Sequence, residues 1–234
     1  MDNLFIPINV PELDINAQII SDFTPTRSWV RNTTNEDDQL GNLWEIEEVT
    51  KITDQAMDEN INLKDTHQGL QDWILANLPL TSIVQLYIIK SVQDAPMHMD
   101  NTYTSMGEGP ENMPSYDSLI CSEAYQTHRL SNEPTGYRIL ISGNKGQKRK
   151  DRGIGNEGRD TGFKCMDPDT LETQWATIPA DTDVYLIRNY DVLHGVDLEE
   201  DETRITAFVS GWLDEAAHAD LITTSKTKYA DYII

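Results

Sequence analysis

A mainly β domain with helices packed against one of its sheets is the fold class this sequence predicts, on three observations. Helix-like spacing of apolar residues is confined to the first third of the chain. From Ser82 onward, short apolar runs alternate with polar residues and are bracketed by glycine, proline and Asp-containing turns. At 234 residues the chain can bury one substantial core, and β folds of this size commonly form a single domain. The expected layout is a helical support region over 1–80, a β core over 81–213 and a tail over 214–234.

Taken in order, the apolar positions Leu43, Ile46, Val49, Ile52 and Met57 recur at roughly helical spacing and predict a first helix over Leu43 to Met57. Leu70, Trp73, Ile74 and Leu78 predict a second, which Pro79 closes because proline disfavours helix in the residue before it. Ser82 to Lys90 reads as a strand with Val84, Leu86 and Ile88 on one side. Tyr137 to Ser142, bracketed by Gly136 and Gly143, reads as another. Trp175 to Ile178 and Val184 to Arg188 flank Pro179-Ala180-Asp181-Thr182-Asp183, turn-favouring residues that predict a hairpin delivering the chain to His194. Arg204 to Leu213 is the last expected strand, followed by a short helix and an extended end.

One segment breaks the composition. Asn144 to Arg159 is dense in glycine and positive charge with almost nothing to bury, so it is expected to be a mobile loop, within an insertion placed at 144–162. Its Gly153, Gly155 and Gly158 imitate a dinucleotide fingerprint, but no strand leads directly into them and no helix pattern follows. As a lid, its Lys148, Arg149, Lys150 and Arg152 would attract an anionic substrate; as a passive insertion it is a solvated loop.

Charge and cysteine usage exclude more than they establish. With 18 basic against 40 acidic residues the formal charge is −22, which repels a phosphate backbone over most of the surface, so nucleic acid is not an expected partner. Cys121 and Cys165 have no metal-binding or redox spacing and are expected to be reduced thiols. The first residues lack a basic and apolar leader pattern, and the longest apolar neighbourhood, Ile83 to Ile89, is too short to span a bilayer. These features lead to the expectation of a soluble cytoplasmic protein with no membrane partner.

The chemistry concentrates at a few positions. His98 and Asp100, in Pro96-Met97-His98-Met99-Asp100, project to one side of an extended segment while Met99 points to the other. Together with His194, in Leu193-His194-Gly195, they form the two-imidazole, one-carboxylate set that binds non-heme Fe(II) and leaves coordination positions open. Ten residues after His194 comes Arg204, which shares a strand face with Thr206 and Phe208. A guanidinium and a hydroxyl on one face could grip a carboxylate. Each residue also has a plainer reading. His98 could be a buried structural histidine, and Arg204 could form a weak surface pair with one of the acids Glu199 to Glu202. His67, His128 and His218 have no carboxylate at chelating spacing, and structural or surface roles are expected for them.

His-x-Asp, a distant His and Arg-x-Thr ten residues later together resemble the Fe(II)/2-oxoglutarate-dependent dioxygenase superfamily, over about Ser82 to Leu213. The interval from His98 to His194 is longer than in compact members, which is why an insertion is placed between them. The resemblance implies a double-stranded β-helix, a jelly-roll, cupin-like barrel with the N-terminal helices packed on one sheet. It further implies Fe(II) held by His98, Asp100 and His194, O₂ as oxidant, and 2-oxoglutarate bound through Arg204 and Thr206. Tyr87 and Arg138, on strands expected to line the same barrel, could hydrogen-bond the co-substrate or substrate. The implied reaction turns 2-oxoglutarate into succinate and CO₂ while hydroxylating an unactivated C–H bond of an amino acid, peptidyl side chain or small metabolite. The carboxylate ligand speaks against a halogenase. Two other classes stay open: a cupin-like metal protein that uses no 2-oxo acid, and a structural jelly roll in which the triad is accidental.

Overall fold

The computed structural model describes residues 3–30, 43–49, 65–92, 94–98, 135–141, 158–188, 192–198 and 202–234. Among them the chain forms two antiparallel sheets. The larger has seven strands: β1 (Phe5–Pro7), β9 (Val184–Ile187), β6 (Thr135–Ile141), β11 (Arg204–Leu213), β4 (Leu80–Ser91), β3 (Leu43–Glu48) and β2 (Arg27–Val30), in that spatial order. The smaller has four: β5 (Ala95–His98), β10 (His194–Val196), β7 (Gly158–Met166) and β8 (Thr173–Pro179). The mainly β class holds, and the arrangement is that of a β-sandwich. The barrel that the family resemblance implied is not found, because the described strands form two separate sheets and no closed barrel.

The alternation of β11 explains why there are two cores. Ile205, Ala207 and Val209 point to one side and join α1 (Asn16–Asp22), α2 (Gln68–Asn77) and α3 (Glu215–Lys228) through Ile19, Leu70, Ile74, Leu221 and Ile222. This is the outer face, covered by helices as expected. Between the sheets lies a second cluster drawn from both: Phe5, Leu140 and Tyr185 from the larger, and Ala95, Phe163, Cys165, Ala176, Ile178 and Val196 from the smaller. Arg204, Thr206 and Phe208 belong to this inner face, as do their cross-strand neighbours Ser91, Ile89, Leu140, Tyr87 and Arg138.

Three local expectations are corrected. Leu43–Glu48, expected as the start of a helix, is strand β3, with Trp44 and Ile46 alternating against Glu45 and Glu47 and the register running from Trp44 opposite Ser91 to Glu48 opposite Tyr87. Period-two pairing with β4 overrides the helix-like spacing, so the N-terminal region is not purely helical; residues 50–57 lie outside the described residues. The turn at 179–183 does not close a hairpin, since β8 and β9 belong to different sheets. Its last residues are buried anchors: Thr182 Oγ1 donates to Ile8 O at 2.6 Å, and Asp183 accepts Leu13 N at 2.9 Å and pairs with Arg159 at 2.8 Å. Gly158 to Gly162, expected inside the loop, belong to β7, and Arg159 is 2% exposed. Residues 144–157 lie outside the described residues.

The remaining elements match expectation closely. Helix α2 ends at Leu78, whose φ of −101° and ψ of 145° are the extended geometry imposed by Pro79. The tail forms α3, and its last residue adds to the sheet edge, with Ile234 N donating to Phe5 O at 3.2 Å and Leu4 N to Ile234 O at 2.6 Å.

Candidate functional site

Strand β10 is the centre of the site. In the ladder, position 194 stands opposite position 98 on β5 and opposite Cys165 on β7. Residues opposed in an antiparallel pair carry their Cβ atoms on one face, about 4.5–5.5 Å apart. Two positions nearly a hundred residues apart in sequence thus stand opposite each other on neighbouring strands. Asp100 and the side chain of His98 lie outside the described residues.

Gly195 permits that approach. A Cβ at this position would lie 2.7 Å from Ala95 O and 3.2 Å from Met97 N, so any side chain would force β5 away from β10. The register between these strands also shifts between His194 and Val196, an irregularity at the histidine after which pairing continues with Val196 opposite Ala95. The dipeptide His-Gly therefore has a mechanical reason: the histidine faces inward, and the glycine lets the neighbouring strand close in.

His194 itself is 5% exposed, with Nδ1 3.0 Å from Val192 O. Donation from Nδ1 to that carbonyl selects the tautomer with its lone pair on Nε2, the arrangement that suits a metal-binding imidazole. Its ring packs on Phe163 with centroids 5.5 Å apart, and Phe163 in turn lies 6.3 Å from the Tyr185 ring. Cys165, on the other side of His194, is buried; burial first, and the nearby Asp167 carboxylate second, push its thiol up to about 12, so it stays protonated.

Tyr185 links this corner to the clamp. Its hydroxyl accepts a hydrogen bond from Arg204 Nη2, so Arg204 points into the sandwich; Glu199 to Asp201 lie outside the described residues. Two donors on the same strand face have no partner among the described residues: Arg204 Nε, and the hydroxyl of Thr206, which is 1% exposed. A buried donor left without an acceptor costs on the order of 1–3 kcal/mol, so a pair of them on one face suits an acceptor-rich guest such as a carboxylate. Arg138, 7% exposed, stacks its guanidinium 3.7 Å above the Phe208 ring centroid. Tyr87, opposite Phe208, completes that row.

The structure thus brings position 98, His194, Arg204, Thr206, Arg138 and Tyr87 to one inner space. Sequence reasoning missed Tyr185, Phe163 and Gly195. Only Tyr185 left a signal, since a hydroxyl inside an apolar run such as Val184–Ile187 needs a partner. The other described histidines are structural: His67 Nε2 lies 2.9 Å from buried Glu47, and His218 Nδ1 lies 2.5 Å from Tyr137 Oη. His128 lies outside the described residues.

No family model matches the chain, nor does any curated protein. Solved structures do. A 2OG-Fe(II) oxygenase family oxidoreductase from Burkholderia pseudomallei is 10% identical with a TM-score of 0.40, covering 83% of this chain and 76% of its own. EvdMO1 is 10% identical with a TM-score of 0.40, covering 89% and 47%. A prolyl-4-hydroxylase from Pseudomonas putida is 10% identical with a TM-score of 0.34, covering 85% and 82%. Among the described residues, no helix is long and apolar enough to cross a membrane.

Proposed function

We propose that this protein is an Fe(II)- and 2-oxoglutarate-dependent oxygenase that hydroxylates an unactivated C–H bond of an amino acid, peptidyl or small-metabolite substrate. The observation that carries the reading is the pairing of positions 98 and 194 on the sheet opposite a strand that offers two donors without a partner among the described residues, Arg204 Nε and Thr206 Oγ1. The donor set fits the groups. Imidazoles and a carboxylate suit Fe(II), and a guanidinium beside a hydroxyl suits a carboxylate.

In this reading His98, Asp100 and His194 hold the metal, and Val192 O keeps the His194 ring in the required tautomer. Arg204 and Thr206 hold the distal carboxylate of 2-oxoglutarate, while Tyr185 fixes the guanidinium so that little rotamer freedom remains to be lost on binding. Iron and 2-oxoglutarate, when bound, would supply the oxidising chemistry with O₂ as oxidant, one oxygen atom passing to the hydroxylated carbon and the other to succinate as CO₂ is lost. The protein's own part is to orient the reactants and exclude water, to which Phe163, packed on His194, and the apolar cluster it shares with Phe5, Val192 and Tyr185 contribute. Tyr87 and Arg138 border the space left for co-substrate or substrate.

The test is anaerobic titration with Fe(II) followed by 2-oxoglutarate. Asp100→Ala should abolish stoichiometric metal binding with the fold intact. Arg204→Ala should weaken 2-oxoglutarate binding by roughly 30- to 150-fold, from the ~2–3 kcal/mol of a charge-assisted contact, and leave metal affinity nearly unchanged. Arg204→Lys should recover only part, because an ammonium lacks the planar fork. Unchanged 2-oxoglutarate affinity with intact metal binding would move the protein to the cupin-like class, which uses no 2-oxo acid.

A further inference from the structure

His194 and Arg204 belong to different sheets, and a column of packed rings joins them. The His194 imidazole lies 5.5 Å from the Phe163 ring, and Phe163 lies 6.3 Å from Tyr185. Phe5 backs both, 6.1 Å from Phe163 and 5.1 Å from Tyr185. All four rings are buried. Tyr185 is held from both sides within the larger sheet, opposite Pro7 on β1 and Arg138 on β6. Its hydroxyl accepts from Arg204 Nη2. To meet it, the arginine crosses β6 from a strand two places away, a span of roughly 10 Å at the usual spacing between strands. A long side chain with many rotamers is thus held extended, with its end fixed by a hydroxyl that cannot itself move.

We infer that Tyr185 is a positioning residue that sets the chain length of the 2-oxo acid this protein accepts. The inference rests on the oxygenase reading, in which the 2-oxo acid meets the metal beside His194 and places its distal carboxylate on Arg204. Protein interiors are close-packed and barely compress, so the ring column fixes the interval between those two ends. A guanidinium pinned at a fixed interval suits one length of dicarboxylate and penalises one carbon more or less. Without the Tyr185 hydroxyl, Arg204 is free to withdraw for a longer acid or lean in for a shorter one. The choice of length is then made by a buried residue that acts through the arginine, and the tyrosine ring supplies the rigidity that makes the hydroxyl a fixed point.

Anaerobic titration of the Mn(II)-loaded full chain with 2-oxoglutarate, with oxaloacetate, one carbon shorter, and with 2-oxoadipate, one carbon longer, reads the choice as a ratio of dissociation constants. The wild-type chain should favour 2-oxoglutarate over either by at least about tenfold, the scale of one hydrogen bond to a charged group. In Tyr185→Phe, which keeps the ring and its packing, the ratio should fall to about threefold or less with Mn(II) affinity unchanged. Phe5→Leu keeps the hydroxyl but slackens its seat, and should shift the ratio the same way. It keeps the test open if Tyr185→Phe does not fold, which circular dichroism establishes. In an Arg204→Lys background, Tyr185→Phe should change the ratio no further, which separates positioning of the arginine from general loosening of the core. NMR of isotope-labelled arginine reads the same point without ligand: the Arg204 Nε–H signal, identified by its loss in Arg204→Lys, should move toward the free-arginine position in Tyr185→Phe. A wild-type chain indifferent to length, a preference kept in the folded variants, an equal effect in the Arg204→Lys background or an unmoved Arg204 signal overturns the inference and leaves the oxygenase reading standing. Failure of the wild-type chain to bind any 2-oxo acid overturns both.

Discussion

Gly195→Ala is the most direct probe of how the fold assembles the proposed metal-binding corner. The added Cβ would sit 2.7 Å from Ala95 O, and Ala95 belongs to the backbone of β5. An ordinary C···O contact is about 3.3–3.6 Å, so β5 must withdraw by roughly 0.6–0.9 Å. Met97 Sδ, 3.2 Å away, could swing aside, but the tightest clash is with a main-chain oxygen that no side-chain movement relieves. If His98 is a ligand as proposed, displacing its strand by this amount would spoil a coordination geometry whose supporting contacts are typically worth 10- to 100-fold in metal affinity. Fe(II) or Mn(II) affinity should therefore fall by about 10- to 100-fold, equivalent to about 1.4–2.7 kcal/mol. Overpacking itself should cost about 1–3 kcal/mol of stability. Anaerobic metal titration and urea denaturation read the two effects separately. Wild-type metal affinity in a destabilised Gly195→Ala would refute the argument, since β5 would then have moved without disturbing any ligand.

Two further outcomes follow from buried ionisable groups. Asp183→Ala removes the carboxylate that meets Arg159 at 2.8 Å, with side chains 0% and 3% exposed, and should cost about 3–5 kcal/mol in urea denaturation because a buried cation is stranded. The double variant Arg159→Met, Asp183→Leu should recover much of that loss, and a single-variant cost below about 1 kcal/mol would show that the pair does not anchor the crossing between sheets. At His218, burial lowers the imidazole below its ordinary value of 6.5, so the unfolded chain takes up the proton first. Stability from this residue is full above pH 6.5 and declines as pH falls toward the lowered value, where the proton displaces the hydrogen bond from Tyr137. The pH dependence of urea midpoints below 6.5 should flatten in His218→Gln, and an unchanged slope would assign the acid sensitivity elsewhere.

Two of the periodicities read residue by residue survived folding. Alternation in Arg204 to Leu213 identified both the strand and its inward set, Arg204, Thr206 and Phe208, and the Leu70 to Leu78 pattern with Pro79 located a helix and its end. The sequence also proposes the types and order of candidate site residues, His98, Asp100, His194 and Arg204, since these carry their chemistry in the side chain, and the structure describes the surroundings of His194 and Arg204. Tertiary structure decided everything that depends on a partner far along the chain. Trp44 and Ile46 fit a helical spacing and an alternating one, and only the register with β4 chose between them. Pro179 to Asp183 reads as a turn in any context. It crosses between sheets because Ile8, Leu13 and Arg159, distant in sequence, satisfy Thr182 and Asp183. Tyr185 and Gly195 belong to the site only because β9 and β10 bring a hydroxyl to Arg204 and a bare backbone to Ala95. Local propensity depends on neighbours within a few residues, whereas strand register and sheet membership are set by long-range contacts that a linear pattern does not contain.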